Sequence, residues 1–185
     1  MDNVFVRSAR ADDFPQCLAI DPNFSTDYVW QMDSRSEAGQ IAVAFRSARL
    51  PRSMQVNYPR DAKSRAANWP TCAAMLVGTR DHRVIGYAAI SKHTPQSAAW
   101  LDDLVVAQSA RRGGVGSALL EAAGRWGRAQ RLKWLILEMQ TKNYPAICFC
   151  QKHGLTFCGF SDRHFPNQDI ALFFAQALHT GEAAL

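Results

Sequence analysis

The sequence predicts an α/β (α+β) fold: a single mixed sheet, mostly antiparallel, with one parallel pair at its centre and helices on its flanks. Three observations carry this. Residues 73–79 and 84–90 are apolar runs separated by the polar turn Arg80-Asp81-His82-Arg83, the pattern of an antiparallel hairpin. Residues 100–106, which begin Trp100-Leu101-Asp102-Asp103, follow a short loop and extend that meander. Beyond Val106 the order changes: an amphipathic helical stretch leads into Trp134-Leu135-Ile136-Leu137-Glu138-Met139, a nearly continuous apolar run. Such a run reads as an interior strand that returns parallel to the Trp100 strand through the helix between them.

In chain order, Val4-Phe5-Val6-Arg7 opens as a short strand. A helix follows, with Asp12 or Asp13 as its cap and Pro15 in its first turn. The aromatic-rich stretch from Phe24 to Met32, with Tyr28 and Trp30, is predicted helical. Residues 40–46 form a strand by β-branched content and near alternation. Pro51, Pro59 and Pro70 punctuate what comes next, and Tyr58-Pro59-Arg60 reads as a turn or extended link, because a residue before proline avoids the helical region. Residues 61–69 hold a short helix. In the helix after the Trp100 strand, Val115, Ala118, Leu119, Ala122, Trp126 and Ala129 recur on one face. Gly124 and Gly127 each cost it about 1 kcal/mol relative to alanine, so packing must hold it. A second helix has Asn143 as cap, Pro145 in its first turn and Gly154 as its stop. Residues 156–160 and 170–174 are two closing strands.

The 185 residues suit one domain with a sizeable core, and the 48% hydrophobic and 20% charged composition is that of an ordinary globular protein. The net charge of +5 favours an anionic ligand, but no long basic run supports a nucleic-acid partner. The five cysteines show no CxxC spacing, which points to reduced thiols, a cytoplasmic setting and no metal. No apolar run reaches the length of a membrane span, and the N-terminus lacks a signal-peptide pattern, so no membrane partner is expected.

The stretch Arg111-Arg112-Gly113-Gly114-Val115-Gly116 stands between the Trp100 strand and a helix that begins near Ser117. A glycine-rich turn before a helix leaves backbone N–H groups unpaired and aligned, and the helix dipole adds positive charge there, so this is a candidate anion site. On the second helix Asn143, Ala146, Ile147 and Cys150 share a face that begins just past the end of the Trp134 strand. Ligands of α/β sheets sit at such strand ends, so the two segments converge on one cleft.

Through Leu104-Val105-Val106, Arg111 to Gly116, and Asn143 to Gly154, the sequence resembles the GNAT superfamily of acetyl-CoA-dependent N-acetyltransferases, and between residues 137 and 173 its streptothricin acetyltransferase-like branch. The match covers about residues 98–178, the expected acetyl-CoA-binding core of a single N-acetyltransferase domain spanning 1–185. The resemblance implies that the parallel pair is splayed. It implies that backbone N–H groups of Arg111, Arg112, Gly113, Gly114, Val115, Gly116 and Ser117 hold the CoA pyrophosphate. Leu104, Val105 and Val106 would pair with the pantetheine arm like an added strand, Asn143 would bond it, and Ala146 would leave it room. A primary amine, on a small molecule or a protein, would attack the acetyl carbon directly in a ternary complex and release CoA thiolate. A homodimer is compatible with this reading.

Two departures stand out. Cys150 occupies the position where many members carry the tyrosine that protonates the leaving thiolate, so it is either that acid or a small buried helix residue. Arg112 stands where glycine is common. Candidate bases are Asp102, Asp103 and Glu138. Strict alternation puts Asp102 and Asp103 on opposite faces, so that one faces the cleft and the other a helix cap or solvent. His164 reads as a surface histidine within reach of the cleft from a loop. Two rival functions remain at this stage: a non-catalytic acyl-CoA-binding module, favoured by the missing tyrosine, and an NAD-dependent oxidoreductase, for which Gly114-Val115-Gly116 lacks the third glycine.

Overall fold

The computed structural model describes residues 4–178. Seven strands form one sheet in the order β1-β4-β5-β6-β7-β9-β8, where β1 is Phe5–Ser8, β4 Ala74–Arg80, β5 Arg83–His93, β6 Ala98–Val106, β7 Trp134–Gln140, β8 Thr156–Ser161 and β9 Ala171–Ala177. Every neighbouring pair is antiparallel except β6 and β7. The helices are α1 (Phe14–Ala19), α2 (Ala62–Asn68), α3 (Val115–Ala129) and α4 (Tyr144–Lys152). A separate two-stranded hairpin joins β2 (Phe24–Glu37) to β3 (Gln40–Val56).

That hairpin corrects two expectations. The Phe24 to Met32 stretch is strand, not helix. It is rich in aromatic and β-branched residues that fit a pleated surface, and its ladder partner lies up to 32 residues away, at Val56 for Phe24. β3 also runs on past Arg46 and contains Pro51. The proline is tolerated because the ladder breaks there: pairing jumps from Tyr28 with Arg49 to Thr26 with Met54, so residues 50–53 need no regular N–H donors. The hairpin is fastened to the sheet by Trp30, whose N–H donates to the Thr141 carbonyl at 2.9 Å and whose ring packs near Phe45, Phe157 and Phe174.

The sheet separates two apolar layers. Val77, Tyr87, Ala89 and Val105 meet Cys17 and Ile20, next to α2's neighbour Trp69, on one side. Leu76, Ala88, Ile90 and Leu101 meet Val115, Leu119 and Ala123 of α3 on the other, and that layer continues through Leu135, Leu137, Ile147 and Cys150. This alternation along β4, β5 and β6 is the period of two that positions both helix layers. The buried stripe of α3 is rotated from the expected one: Leu120, Ala123 and Gly127 are buried, while Ala118 and Trp126 are half-buried and Ala129 is exposed. Gly127 explains part of this, because a Cβ there would lie 2.5 Å from a Leu178 methyl group. Its lack of a side chain admits the close approach. All five cysteines are free thiols. Among the described residues no helix is long and apolar enough to cross a membrane.

Candidate active site

The parallel ladder between β6 and β7 is short. It runs from Ala98 opposite Trp134 to Leu101 opposite Leu137, although β6 continues to Val106 and β7 to Gln140. Beyond Leu101 the strands splay and one edge of β6 is open. Ala107 donates its N–H to Ile85 of β5 at 2.9 Å. Backbone direction alternates along a strand, so Leu104 and Val106 turn their N–H groups to the open edge. The Val106 carbonyl on that edge accepts from Arg111 Nε at 3.1 Å.

The glycine-rich turn follows. Gly114 is the N-cap of α3 with φ +83°, and Arg112 is left-handed as well, at φ +64°. The turn therefore adopts at Arg112 the conformation glycine would take freely, which costs a side-chain-bearing residue about 1–2 kcal/mol. The first bond of α3 is Ala118 N–H to the Gly114 carbonyl at 3.0 Å, so the N–H groups of Val115, Gly116 and Ser117 precede it and have no helical acceptor. Arg111 does not aim its guanidinium at this turn; it reaches the carbonyl of Asn23 at 2.8 Å. Gly113 and Gly114 are exposed. The second helix lies alongside: Ser117 Oγ is 2.9 Å from His153 Nε2, and a Cβ on Gly116 would stand 3.4 Å from the Phe149 ring. The turn and α4 thus converge beside the open edge of β6. Asn143 caps α4, its Oδ1 accepting from Ala146 N–H at 3.2 Å, while its Nδ2 has no hydrogen-bond partner among the described residues. Ala146 is half-buried. Cys150 is 0% exposed, and burial pushes its thiol up to about 12.

On the other flank of the splay lies a cluster of charges. The register of β5 against β6 shifts between Ala89 and Ile90, so Asp102 is the extra residue of a β-bulge. The bulge breaks the strict alternation that would send Asp102 and Asp103 to unrelated places; neither reaches a helix cap. Asp103, 2% exposed, accepts from Tyr58 Oη at 2.6 Å and from Arg60 Nε at 3.2 Å. Arg60 also donates to Glu138 Oε1 at 2.7 Å and to the Asp102 carbonyl. The Asp102 carboxylate accepts from Ser91 Oγ, and burial raises its pKa against the opposing pull of that bond and of Arg60. Burial and the neighbouring Asp103 push the Tyr58 phenol well up, so it stays a neutral donor. His164 Nε2 lies 3.1 Å from Glu138 Oε2.

Asp102, Glu138 and His164 line a polar cavity of about 370 Å³ together with Arg60, Cys72 and Ser91. Tyr58, Arg60, Cys72 and Ser91 were not singled out from the sequence. Arg60 carries one signal there: it follows Tyr58-Pro59, an extended link free to lay its side chains across strand ends. Its partners, 42 to 78 residues away, carry none.

A family model described as the Acetyltransferase (GNAT) family matches residues 43–155, more than half the sequence. The chain belongs to that family. It is an N-acetyltransferase that moves an acetyl group from acetyl-CoA to an amine. The matched region begins well before the segments that carried the resemblance and takes in most of β3 and the meander. Streptothricin acetyltransferase from Streptomyces lavendulae is 28% identical over 154 residues, which are 83% of this chain and 82% of that protein. The crystal structure of a nourseothricin acetyltransferase superposes with a TM-score of 0.81 at 21% identity, covering 95% of this chain and 99% of the other. A Bacillus anthracis str. Ames structure, provisionally described as a streptothricin acetyltransferase in complex with acetyl coenzyme A, gives 0.76 at 18% identity, with the same coverage. The open sheet with its splayed parallel pair is the arrangement this acetyltransferase shares with them in fold.

Proposed function

We propose that this acetyltransferase acetylates a primary amine of a cationic small molecule by direct attack in a ternary complex. The observation that carries the acceptor class is the acid excess at the cavity. Asp102 and Glu138 line it beside Arg60, and the buried Asp103 lies behind Arg60, within a chain of net charge +5. A local negative field inside a basic protein draws a cation to that cleft and leaves the rest of the surface unattractive to it.

In this reading the donor lies along the open edge of β6. The free N–H groups at the start of α3, with those of Arg112 and Gly114, hold the pyrophosphate of acetyl-CoA, whereas the expected Arg111 and Gly113 N–H groups are given to the Gln108 and Ala110 carbonyls, each at 3.3 Å. The pantetheine arm pairs with Leu104 to Val106, and an outward N–H of that edge polarises the thioester carbonyl as negative charge develops on its oxygen. Asn143 donates its free Nδ2 to the arm and Ala146 leaves the space. Cys150 serves packing: a sealed thiol near 12 is a poor proton donor to a departing thiolate. The acetyl carbon then lies at the mouth of the splay, between the donor groove and the acidic cavity.

The test is an acceptor panel with acetyl-CoA and a free-thiol readout: streptothricin, spermidine, and a peptide with a free N-terminus and no other amine. Turnover with streptothricin or spermidine well above that with the peptide is expected. A preference for the peptide would overturn the small-molecule assignment. Calorimetry with CoA should give micromolar affinity, and no heat at millimolar ligand would remove the donor groove from this place.

A further inference from the structure

We propose that His164 is the general base that takes the proton from the acceptor ammonium, with Glu138 and Arg60 as its positioning residues. The inference rests on the acetyl-transfer reading above and deepens its acceptor side.

His164 is an exposed loop residue, yet its ring is held on several sides. Its Nε2 meets Glu138 Oε2 at 3.1 Å, and Glu138 is itself fixed through its other oxygen by Arg60 Nη1 at 2.7 Å. Both members of that second pair are largely buried, with side-chain exposures of 11% and 17%. The imidazole stands edge-on to two aromatic rings, Phe165 at 5.0 Å and Phe173 at 5.7 Å. Its backbone N–H donates to the Asp169 carbonyl at 3.1 Å. The ring lines the acidic cavity, and its Nδ1 has no hydrogen-bond partner among the described residues.

These contacts assign the roles. With Nε2–H donated to the carboxylate, the lone pair sits on Nδ1, and the carboxylate stabilises the imidazolium that forms. Glu138 has both oxygens engaged, Asp103 is sealed under Tyr58 and Arg60, and the Asp102 carboxylate is held by Ser91 Oγ, while His164 offers the cavity a basic nitrogen with no partner among the described residues. The groups that face the ring's surroundings are Glu138 on β7, Asp102 on β6, Arg60 and Cys72 before β4, and Asp162 and Arg163 on its own loop.

The step balances as follows. The ammonium nitrogen gives one proton to Nδ1 and becomes a neutral amine. Its lone pair forms the C–N bond to the acetyl carbon, the C–S bond breaks, and the electron pair leaves on the CoA sulfur. The second nitrogen proton passes to that thiolate, giving the amide and free CoA. The imidazolium returns its proton to solvent.

Three measurements test this. Imidazole nitrogen NMR of the unliganded protein should show the neutral His164 ring protonated at Nε2; a ring protonated at Nδ1 would overturn the proposal without reference to any acceptor. With whichever of streptothricin and spermidine the parent acetylates, His164→Gln should lower kcat by about 10²-fold or more. It should leave the KM for acetyl-CoA within about threefold and remove the acid limb of the pH–rate profile. Glu138→Gln should cost less than His164→Gln, because it loosens the ring without removing the base. Parent turnover reports on the acetyl-transfer reading; the ratio of variant to parent reports on His164. If His164→Gln keeps kcat within about threefold while Glu138→Gln loses 10²-fold, the base is Glu138 and the proposal fails.

Discussion

Replacement of Arg60 by methionine should be among the most destabilising single changes open to this chain. The side chain lies between two carboxylates, 3.2 Å from Asp103 and 2.7 Å from Glu138, and also binds the Asp102 carbonyl. Its exposure is 17%, against 2% and 11% for the two carboxylate side chains. Removing the cation from such a buried set leaves the anions uncompensated, which costs about 3–5 kcal/mol. For a domain of this size, each kcal/mol moves the melting temperature by about 2–4 °C, so a fall of about 6–20 °C is expected. The assay is scanning calorimetry at pH 7 without ligand, paired with denaturant unfolding. The combination Arg60→Met, Asp103→Asn and Glu138→Gln should recover about half of the loss or more, because the penalty lies in the unpaired charges rather than in the missing contact. If Arg60→Met melts within about 2 °C of the parent, the cluster is not electrostatically closed and the reasoning fails.

Other outcomes follow from the same geometry. Cys150→Ala should cost about 1 kcal/mol of stability and leave kcat within about threefold, read by denaturant unfolding and steady-state kinetics; a hundredfold loss of kcat that Cys150→Tyr restores would reinstate it as the acid. Gly114→Asp should abolish CoA binding in calorimetry while circular dichroism stays unchanged, since open space surrounds the position but a carboxylate there would face the phosphates at φ +83°. Asp13 is held below the ordinary carboxylate range, first by its hydrogen bonds from Arg7 and also by the Arg10 N–H, against burial. Because its folded pKa is depressed, its contribution is complete above the unfolded value near 4 and is lost as pH falls through the folded one. Arg7→Ala should therefore cost about 1 kcal/mol at pH 7, a modest figure because Arg7 is partly exposed, and the gap to the parent should close below about pH 4 in urea melts.

By itself the sequence determined what local chemistry dictates. The β4–β5 turn is read from Arg80 to Arg83 because polar residues there interrupt two apolar runs. The Asn143 cap, Pro145 and Gly154 bound α4 because each acts on its own turn of backbone. The glycine turn is legible for the same reason: unpaired N–H groups before a helix need no distant partner to be anion-seeking. The resemblance to acetyltransferases rested on those local features and on their joint spacing. Tertiary structure decided whatever depends on pairing across the chain. Phe24 to Met32 became strand because β3 supplied its ladder, and no periodicity within the stretch records that partner. The bulge at Asp102 is one residue of slip between β5 and β6, invisible to a rule of strict alternation, yet it brings the Asp102 carbonyl to Arg60. Arg60 itself, in a proline-marked link, gained its meaning only when the fold carried it to Asp103 and Glu138. His164 stays at the surface, as its loop position implied, but Phe173 and Glu138, on different strands, fix its ring there. Caps and turns are fixed by energies within a few residues, whereas a buried charge cluster exists only once the fold has removed water from between groups distant in sequence.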